Sequence, residues 1–145
     1  MAIVIDTNSF PEVFNEQCSN HNNFKPVLEW INSGRGLIVF GGTKYKREIS
    51  SYLRLINQYL RARKAVAIND SMVDAKEKEI NEMTKDTDCN DQHIIALLGV
   101  SNCPIFCTKD KRSHKYIKNK TYYPKNMCKV KIYSSERNKN ILINC

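Results

Sequence analysis

The sequence lacks any run of apolar residues that approaches the roughly 18 residues of a membrane-spanning helix. Its first residues also lack a basic region followed by an apolar run, the pattern of a secretory signal peptide. We therefore expect no contact with a membrane, and a cytoplasmic location. Internal repeats, linkers and low-complexity segments are absent as well, so the 145 residues are expected to form a single domain over residues 1–145.

Cysteine is plentiful but its spacing excludes common cysteine chemistry. None of the six cysteines form a C-x-x-C pair, and with only three histidines no zinc site is evident. Without a secretory signal, we expect reduced and mostly buried thiols rather than disulfides. Cys103 and Cys107 are expected in the core, because no activating base lies near them. Gly41-Gly42 lacks the lysine and hydroxyl residue of a phosphate-binding loop.

Acidic residues are scarce in the last quarter of the chain. Residues 1–108 carry 12 lysines and arginines against 13 acids, whereas residues 109–145 carry 11 against 2. A net charge of +8 distributed in this way indicates a polyanionic partner. Nucleic acid is favoured over an anionic membrane, because no amphipathic apolar stripe accompanies the lysines.

Apolar runs alternate with helical patterns along the chain. Strands are predicted over residues 3–5, 37–40, 66–68, 104–108 and 128–133. Helices are predicted over residues 9–17, 24–31, 44–65, 70–83 (capped by Asp70 or Ser71), 92–98 and 112–118. This alternation predicts an α/β domain with a central, mainly parallel sheet. The end of the chain, residues 138–145, contains the run Ile141-Leu142-Ile143, which could pack on the sheet edge or on a partner chain.

Four acids occupy corresponding places in this layout. Asp6 ends the first strand, Glu48 lies one turn into the helix after the second, Asp91 begins the helix before the fourth strand, and Asp110 follows that strand. If the fourth strand lies beside the first, these acids meet at the carboxyl edge of the sheet, where such folds bind ligands. Their mutual repulsion would be relieved by a divalent cation, and an oxygen-only ligand set suits Mg²⁺ or Mn²⁺.

Each acid also has a structural explanation. Asp6 could begin an Asx turn, Glu48 could be solvated, and Asp91 could complement a helix dipole. Asp88 competes with Asp91 as the third acid. Asp110 could form a local ion pair with its basic neighbours. The prediction of a metal site therefore rests on the joint placement of the four acids, not on any one of them. His93 is expected to be packed or hydrogen-bonded rather than catalytic.

Several stretches together resemble the motifs of PIN-domain nucleases. They are Ile3-Val4-Ile5-Asp6-Thr7-Asn8, Tyr45-Lys46-Arg47-Glu48-Ile49, Asp91-Gln92-His93-Ile94-Ile95-Ala96-Leu97 and Phe106-Cys107-Thr108-Lys109-Asp110. The resemblance covers about residues 1–115. It implies a three-layer α/β/α sandwich and metal-dependent hydrolysis of RNA phosphodiester bonds, as in the toxin-type ribonucleases of the family.

The resemblance also implies roles for individual residues. Asp6, Glu48, Asp91 and Asp110 would be the catalytic acids, with Asp6, Asp91 and Asp110 binding Mg²⁺ or Mn²⁺. Asn8 and Thr108 would be supporting polar residues. A cognate antitoxin or other inhibitor protein, and a homodimer, are further expectations from the family.

The basic segment 109–145 is assigned to the RNA backbone on physical grounds. Its expected nucleic-acid-binding residues are Lys109, Lys111, Arg112 and Lys115. Two other functions stay open. One is a catalytically inactive module of the same fold that binds RNA or protein. The other is a phospho-acceptor signalling domain, in which Asp, Thr and Lys also gather at strand ends.

Overall fold

The first strand lies in the centre of a five-stranded sheet in which every strand is parallel to its neighbours. A computed structural model describes residues 1–143, and its strands are β1 (Ala2–Ile5), β2 (Leu37–Gly41), β3 (Ala65–Ile68), β4 (Ile105–Cys107) and β5 (Lys131–Tyr133). Their order is β3-β2-β1-β4-β5. The β-branched residues of β1 are fully buried, as expected for a strand that is covered on both faces.

Seven α-helices connect and cover the strands within the described residues. They are α1 (Phe10–Phe14), α2 (His21–Asn32), α3 (Thr43–Glu48), α4 (Leu53–Arg61), α5 (Asp70–Met83), α6 (Gln92–Ser101) and α7 (His114–Ile117). Helices α1 and α2 pack together with the 3-10 segment Glu136–Leu142, whereas α5 packs on α6, which contacts β1, β2 and β3. The architecture is a three-layer α/β/α sandwich, as predicted.

After β3, the chain adds its remaining strands on the other side of β1. The chain first steps outwards from β1 to β2 and β3, and then α5 and α6 carry it back to β4 on the other side of β1. The strand order therefore reverses between β1 and β4. The fourth strand does lie beside the first, with Ile3, Val4 and Ile5 opposite Ile105, Phe106 and Cys107.

The predicted helix over residues 44–65 is wrong as a single element. Helix α3 ends at Glu48, Ile49 leaves helical geometry with φ −97° and ψ 18°, and a 3-10 turn over Ser50–Tyr52 precedes α4. Two consecutive serines follow the break, and serine competes with the helical backbone for hydrogen bonds. Because of this break, the helix that carries Glu48 is only six residues long.

Several other element boundaries also differ from the prediction. Helix α1 ends at Phe14, because the side chain of Asn15 accepts the Gln17 N–H and begins a turn. Helix α5 is capped by Asn69, whose side chain accepts the Met72 N–H, rather than by Asp70 or Ser71. The basic helix shortens to α7 after a 3-10 turn over Lys111–Ser113, and β5 covers only the end of its predicted range.

The C-terminal run folds onto the domain. The 3-10 segment Glu136–Leu142 packs against α2, with Leu142 buried and Ile143 69% exposed. The rest of the predicted tail, residues 144 and 145, lies outside the described residues. Five cysteines in the described chain are free thiols, and Cys89, Cys103 and Cys107 are buried. No helix within residues 1–143 has the length and apolar character needed to cross a membrane.

Candidate acid-lined active site

A cleft of about 770 Å³ opens at the carboxyl edge of the sheet, beside the point where the strand order reverses. This is where doubly wound parallel sheets bind their ligands. All four predicted acids line the cleft: Asp6, Glu48, Asp91 and Asp110. Asn8, Lys111, Arg112 and Lys115 of the predicted set also line it, whereas Thr108 lies buried and Lys109 points elsewhere.

Asp6 is placed by the β-ladder itself. Its N–H donates to the carbonyl of Cys107 at 2.8 Å, which extends the pairing of β1 and β4 by one residue. Asp6 is only 8% exposed, and its carboxylate accepts a hydrogen bond from Thr108 Oγ1 at 2.7 Å. Burial raises the pKa of Asp6, and the neighbouring charge of Asp110 adds to this rise. A nearby cation would stabilise the ionised form of this carboxyl group.

Thr108 links two of the acids. Its hydroxyl donates to Asp6 and accepts the N–H of Asp110 at 3.0 Å, while its own side chain is fully buried. The hydroxyl thereby fixes the Asp6 carboxylate relative to the loop that follows β4. Asn8 donates its backbone N–H to Asp6 Oδ1 at 3.5 Å, so Asp6 also begins an Asx turn and caps the 3-10 turn Thr7–Ser9.

Asp91 is the third acid of the cleft wall. Burial raises its pKa most, and the charges of Asp6, Asp110 and Glu48 raise it further. The carboxylate of Asp91 is therefore close enough to the other three acids for their charges to act on it. Asp88 also lines the cleft, but it is exposed at the rim, where the Tyr116 hydroxyl and Lys115 lower its pKa. The geometry therefore favours Asp91 over Asp88 as the inner acid.

Glu48 reaches the cleft from α3 and is held by two neighbours. His93 Nε2 lies 2.6 Å from Glu48 Oε1, and the Thr7 hydroxyl donates to the same oxygen at 3.5 Å. His93 is buried, in agreement with the expectation that it is packed and hydrogen-bonded. It lies two residues after Asp91, which directly precedes α6, so the start of α6 brings an acid and the partner of a second acid to the same cleft.

The basic residues of the segment after β4 have different environments. Arg112 pairs with Asp110 at 3.1 Å and lowers the pKa of that carboxyl, and Lys115 lies 3.8 Å from Asp88. Lys111 has no acidic partner among residues 1–143. Lys109 is paired with the buried Glu12 and does not line the cleft. Unlike Lys111, Arg112 and Lys115, Lys109 therefore lies outside the cleft.

The donor chemistry of the cleft fits Mg²⁺ or Mn²⁺, although a complete ligand cage is absent. Within residues 1–143, no three histidine, cysteine or acidic side chains are arranged so that they could hold a metal ion. Mg²⁺ usually binds through one or two carboxylates and several waters, so such a group is not required. Burial first, and then the charges of neighbouring acids, raise the pKa of Asp6 and of Asp91, and a bound cation would oppose both effects.

Tyr45 is a site-forming residue that the sequence did not reveal. Its hydroxyl donates to the carbonyl of Ile5 at 2.6 Å, and the side chain is fully buried. This bond ties α3 to the end of β1, one turn before Glu48 and one residue before Asp6. The only signal in the sequence was its place three residues before the acid. Thr7 was missed as well, because a hydroxyl after a strand has many possible partners.

Comparisons of the chain with protein-family models, with curated proteins and with solved structures find no match. The structure of the chain defines a class of fold and a kind of site. It is a doubly wound, all-parallel α/β domain whose switch-point cleft is lined by carboxylates and rimmed by basic side chains.

Proposed function

We propose that the protein is a metal-dependent endoribonuclease of the PIN-like type. The observation that carries this proposal is the convergence of Asp6, Glu48, Asp91 and Asp110 on one cleft at the switch point of the sheet. Burial raises the pKa of two of these acids, Asp6 and Asp91. Clefts that hold acids with raised pKa values are more often functional sites than structural ones. The cations at the rim suit a phosphate backbone.

Each group of residues in the cleft has its own role in the proposed reaction. Asp6 and Asp91 would hold Mg²⁺ or Mn²⁺, and Asp110 would join them once Arg112 turns towards the phosphate. A divalent ion supplies a lowered pKa for water and neutralises charge on the phosphate oxygens. Thr108 fixes Asp6, and His93 orients Glu48 in the wall of the cleft. Lys111, Arg112 and Lys115 would hold the RNA backbone.

The test is a cleavage assay on end-labelled single-stranded RNA with Mn²⁺, with Mg²⁺ and with EDTA. Wild-type protein is compared with Asp6→Asn, which keeps the side-chain shape and removes the charge. Asp86→Asn is the matched control, because Asp86 is an exposed acid outside the cleft. We expect metal-dependent cleavage by the wild type and the control, and a loss of at least about 100-fold in Asp6→Asn. Full activity in folded Asp6→Asn would refute the proposal.

A second candidate is a catalytically inactive module of the same fold that binds RNA. The observation in its favour is that Glu48 and Asp110 already have partners, His93 and Arg112. In that case RNA binding would persist and fall with salt, but no cleavage would occur with any metal. The same assay therefore separates the two candidates.

Three expectations from the resemblance accompany the main proposal. They are a cognate antitoxin or other inhibitor protein, a homodimer, and action in the cytoplasm on RNA. Co-purification and light scattering on the full chain would test the first two.

A further inference from the structure

A second cleft, of about 350 Å³, lies at the opposite edge of the sheet from the acids. It includes Lys129 and Val130, which directly precede β5, and the N–H of Lys131 donates to the carbonyl of Pro104 just before β4. The cleft therefore sits at the amino ends of β4 and β5, whereas the acids sit at the carboxyl ends. We call it the lysine cleft, after Lys118, Lys120, Lys125 and Lys129 in its walls.

The length of α6 separates the lysine cleft from the acid-lined cleft. Asp91 precedes the first turn of α6, and Gly99 is in its last turn. A Cβ on Gly99 would lie 3.6 Å from Tyr123 and 3.9 Å from Pro124, both of which line the lysine cleft. Ten helical residues span about 15 Å. The two clefts are thus separate sites, joined along the surface by α7.

The charge of the lysine cleft is not neutralised by the protein. All four lysines are exposed, and none has an acidic partner among residues 1–143. The chain contains no acid between residues 111 and 135. Four ammonium groups around a concavity repel one another and concentrate anions there. The expected ligand therefore carries more than one negative charge.

Part of the wall of the lysine cleft is aromatic and apolar. The Tyr123 hydroxyl donates to the carbonyl of Ile117 at 2.6 Å, which holds the half-buried ring in place. Val130 is buried, and Met127 packs partly against the core. An aromatic and apolar surface between cationic side chains is how proteins bind single-stranded nucleic acid, with bases on the wall and phosphates on the lysines.

We infer that the lysine cleft binds one nucleotide unit of single-stranded nucleic acid outside the acid-lined cleft. Its volume of about 350 Å³ lies near the lower end of the range of about 300–1,000 Å³ for ligand sites, which is enough for one nucleotide. This site does not require that the protein cleave RNA. If the protein does cleave RNA, a strand that crosses α7 could occupy both clefts.

Cys128 provides a direct readout of occupancy. It lines the lysine cleft and its thiol is exposed, whereas Cys18 is half-buried and outside both clefts. The full chain in EDTA is alkylated with iodoacetamide, and the rate at each cysteine is read by mass spectrometry. A 12-nucleotide single-stranded RNA should slow alkylation of Cys128 severalfold and leave Cys18 unchanged. Equal rates with and without RNA would overturn the inference, as would equal protection by inorganic phosphate or by duplex RNA.

The lysines are tested by binding of the same RNA in EDTA. Lys125→Gln/Lys129→Gln should lower the affinity about fivefold per lysine at 0.1 M salt, and reduce the slope of log K against log salt by about 0.7 per phosphate contact. Lys44→Gln/Lys78→Gln is the control, since it removes two exposed charges outside the lysine cleft. An equal loss in both variants would show nonspecific charge attraction and overturn the site.

The outcomes for the two sites are independent. Cleavage without protection of Cys128 would leave the proposed nuclease and remove the lysine cleft as a binding site. Protection without cleavage would support the lysine cleft and contradict the nuclease.

Discussion

Thr108 is the residue whose role is best defined by its contacts. Its buried hydroxyl serves two acids at once, as donor to Asp6 and acceptor from the Asp110 N–H. Thr108→Val keeps the shape of the side chain and leaves both polar groups without this partner. We expect a loss of about 1–3 kcal/mol in the free energy of unfolding, measured in urea. Thr108→Ser, which keeps the hydroxyl and removes the methyl group, should lose less; a Thr108→Val variant as stable as the wild type would contradict the role of the hydroxyl.

Asp91 should give a stability effect that depends on pH. Its pKa in the folded state is raised above 3.8, so the folded state resists ionisation that the unfolded state accepts. The penalty is absent below pH 3.8, grows as pH rises through that value, and is complete above the raised pKa. In EDTA at pH 7, Asp91→Asn should therefore raise Tm by about 1–3 °C, and at pH 3 it should not.

Asp88→Asn is the matched control for Asp91→Asn. The pKa of Asp88 is lowered, so its removal should not stabilise the protein at pH 7. The pair also decides which acid the proposed nuclease uses, because cleavage should vanish in Asp91→Asn and persist in Asp88→Asn. The reverse result in cleavage would make Asp88 the third acid.

At the scale of single residues, the sequence predicted where the acids lie better than it predicted which side chains contact each other. Asp6 and Asp110 could be placed because each follows a buried strand, and parallel strands share an edge. The bond between His93 and Glu48 could not be found in this way, because it joins residues 45 apart on two helices. The pairing of Lys109 with Glu12 was hidden for the same reason, since Glu12 is 97 residues away.

At the scale of elements, the start of α3 determines where Glu48 points. Gly42 precedes α3 with φ 88°, its N–H donates to Asp70 Oδ1 at 3.0 Å, and Asp74 accepts from both the N–H and the hydroxyl of Thr43. The first turn of α5 therefore anchors the first turn of α3. The sequence did not reveal this anchor or the break at Ile49.

Gly42→Ala should disturb this anchor. A Cβ there would lie 2.6 Å from Val73 Cγ1, in addition to the strain of a positive φ. We expect a loss of about 2–4 kcal/mol in urea unfolding, and reduced cleavage through displacement of Glu48. Gly34→Ala is the control, because Gly34 has φ 84° but no atom within 4 Å of its Cβ position. Its loss should be about 1–2 kcal/mol; equal losses at both positions would show that strain alone acts.

At the scale of the whole molecule, the basic last quarter of the chain is part of the fold and not an appended tail. It supplies β5 at one edge of the sheet, and its 3-10 segment packs against α2. Tyr133 is fully buried, and its hydroxyl donates to the carbonyl of Asn23 at 2.8 Å, across 110 residues of sequence. The charge asymmetry seen in the sequence thus becomes a basic surface on the same domain as the acid-lined cleft.

Substitutions at the end of the described chain test whether the basic segment shares the core of the domain. Leu142 is 7% exposed and belongs to the core, whereas Ile143 is 69% exposed. Leu142→Ala should lower the free energy of unfolding by about 2–3 kcal/mol, because it removes buried methyl groups and leaves a cavity. Ile143→Ala should change it by less than about 0.5 kcal/mol. Both variants should unfold in one transition in urea, since β5 and the 3-10 segment share the core with β1. A separate early transition for Leu142→Ala would mean that the basic segment is a unit of its own, docked on residues 1–108, and the single-domain description would then have to be abandoned.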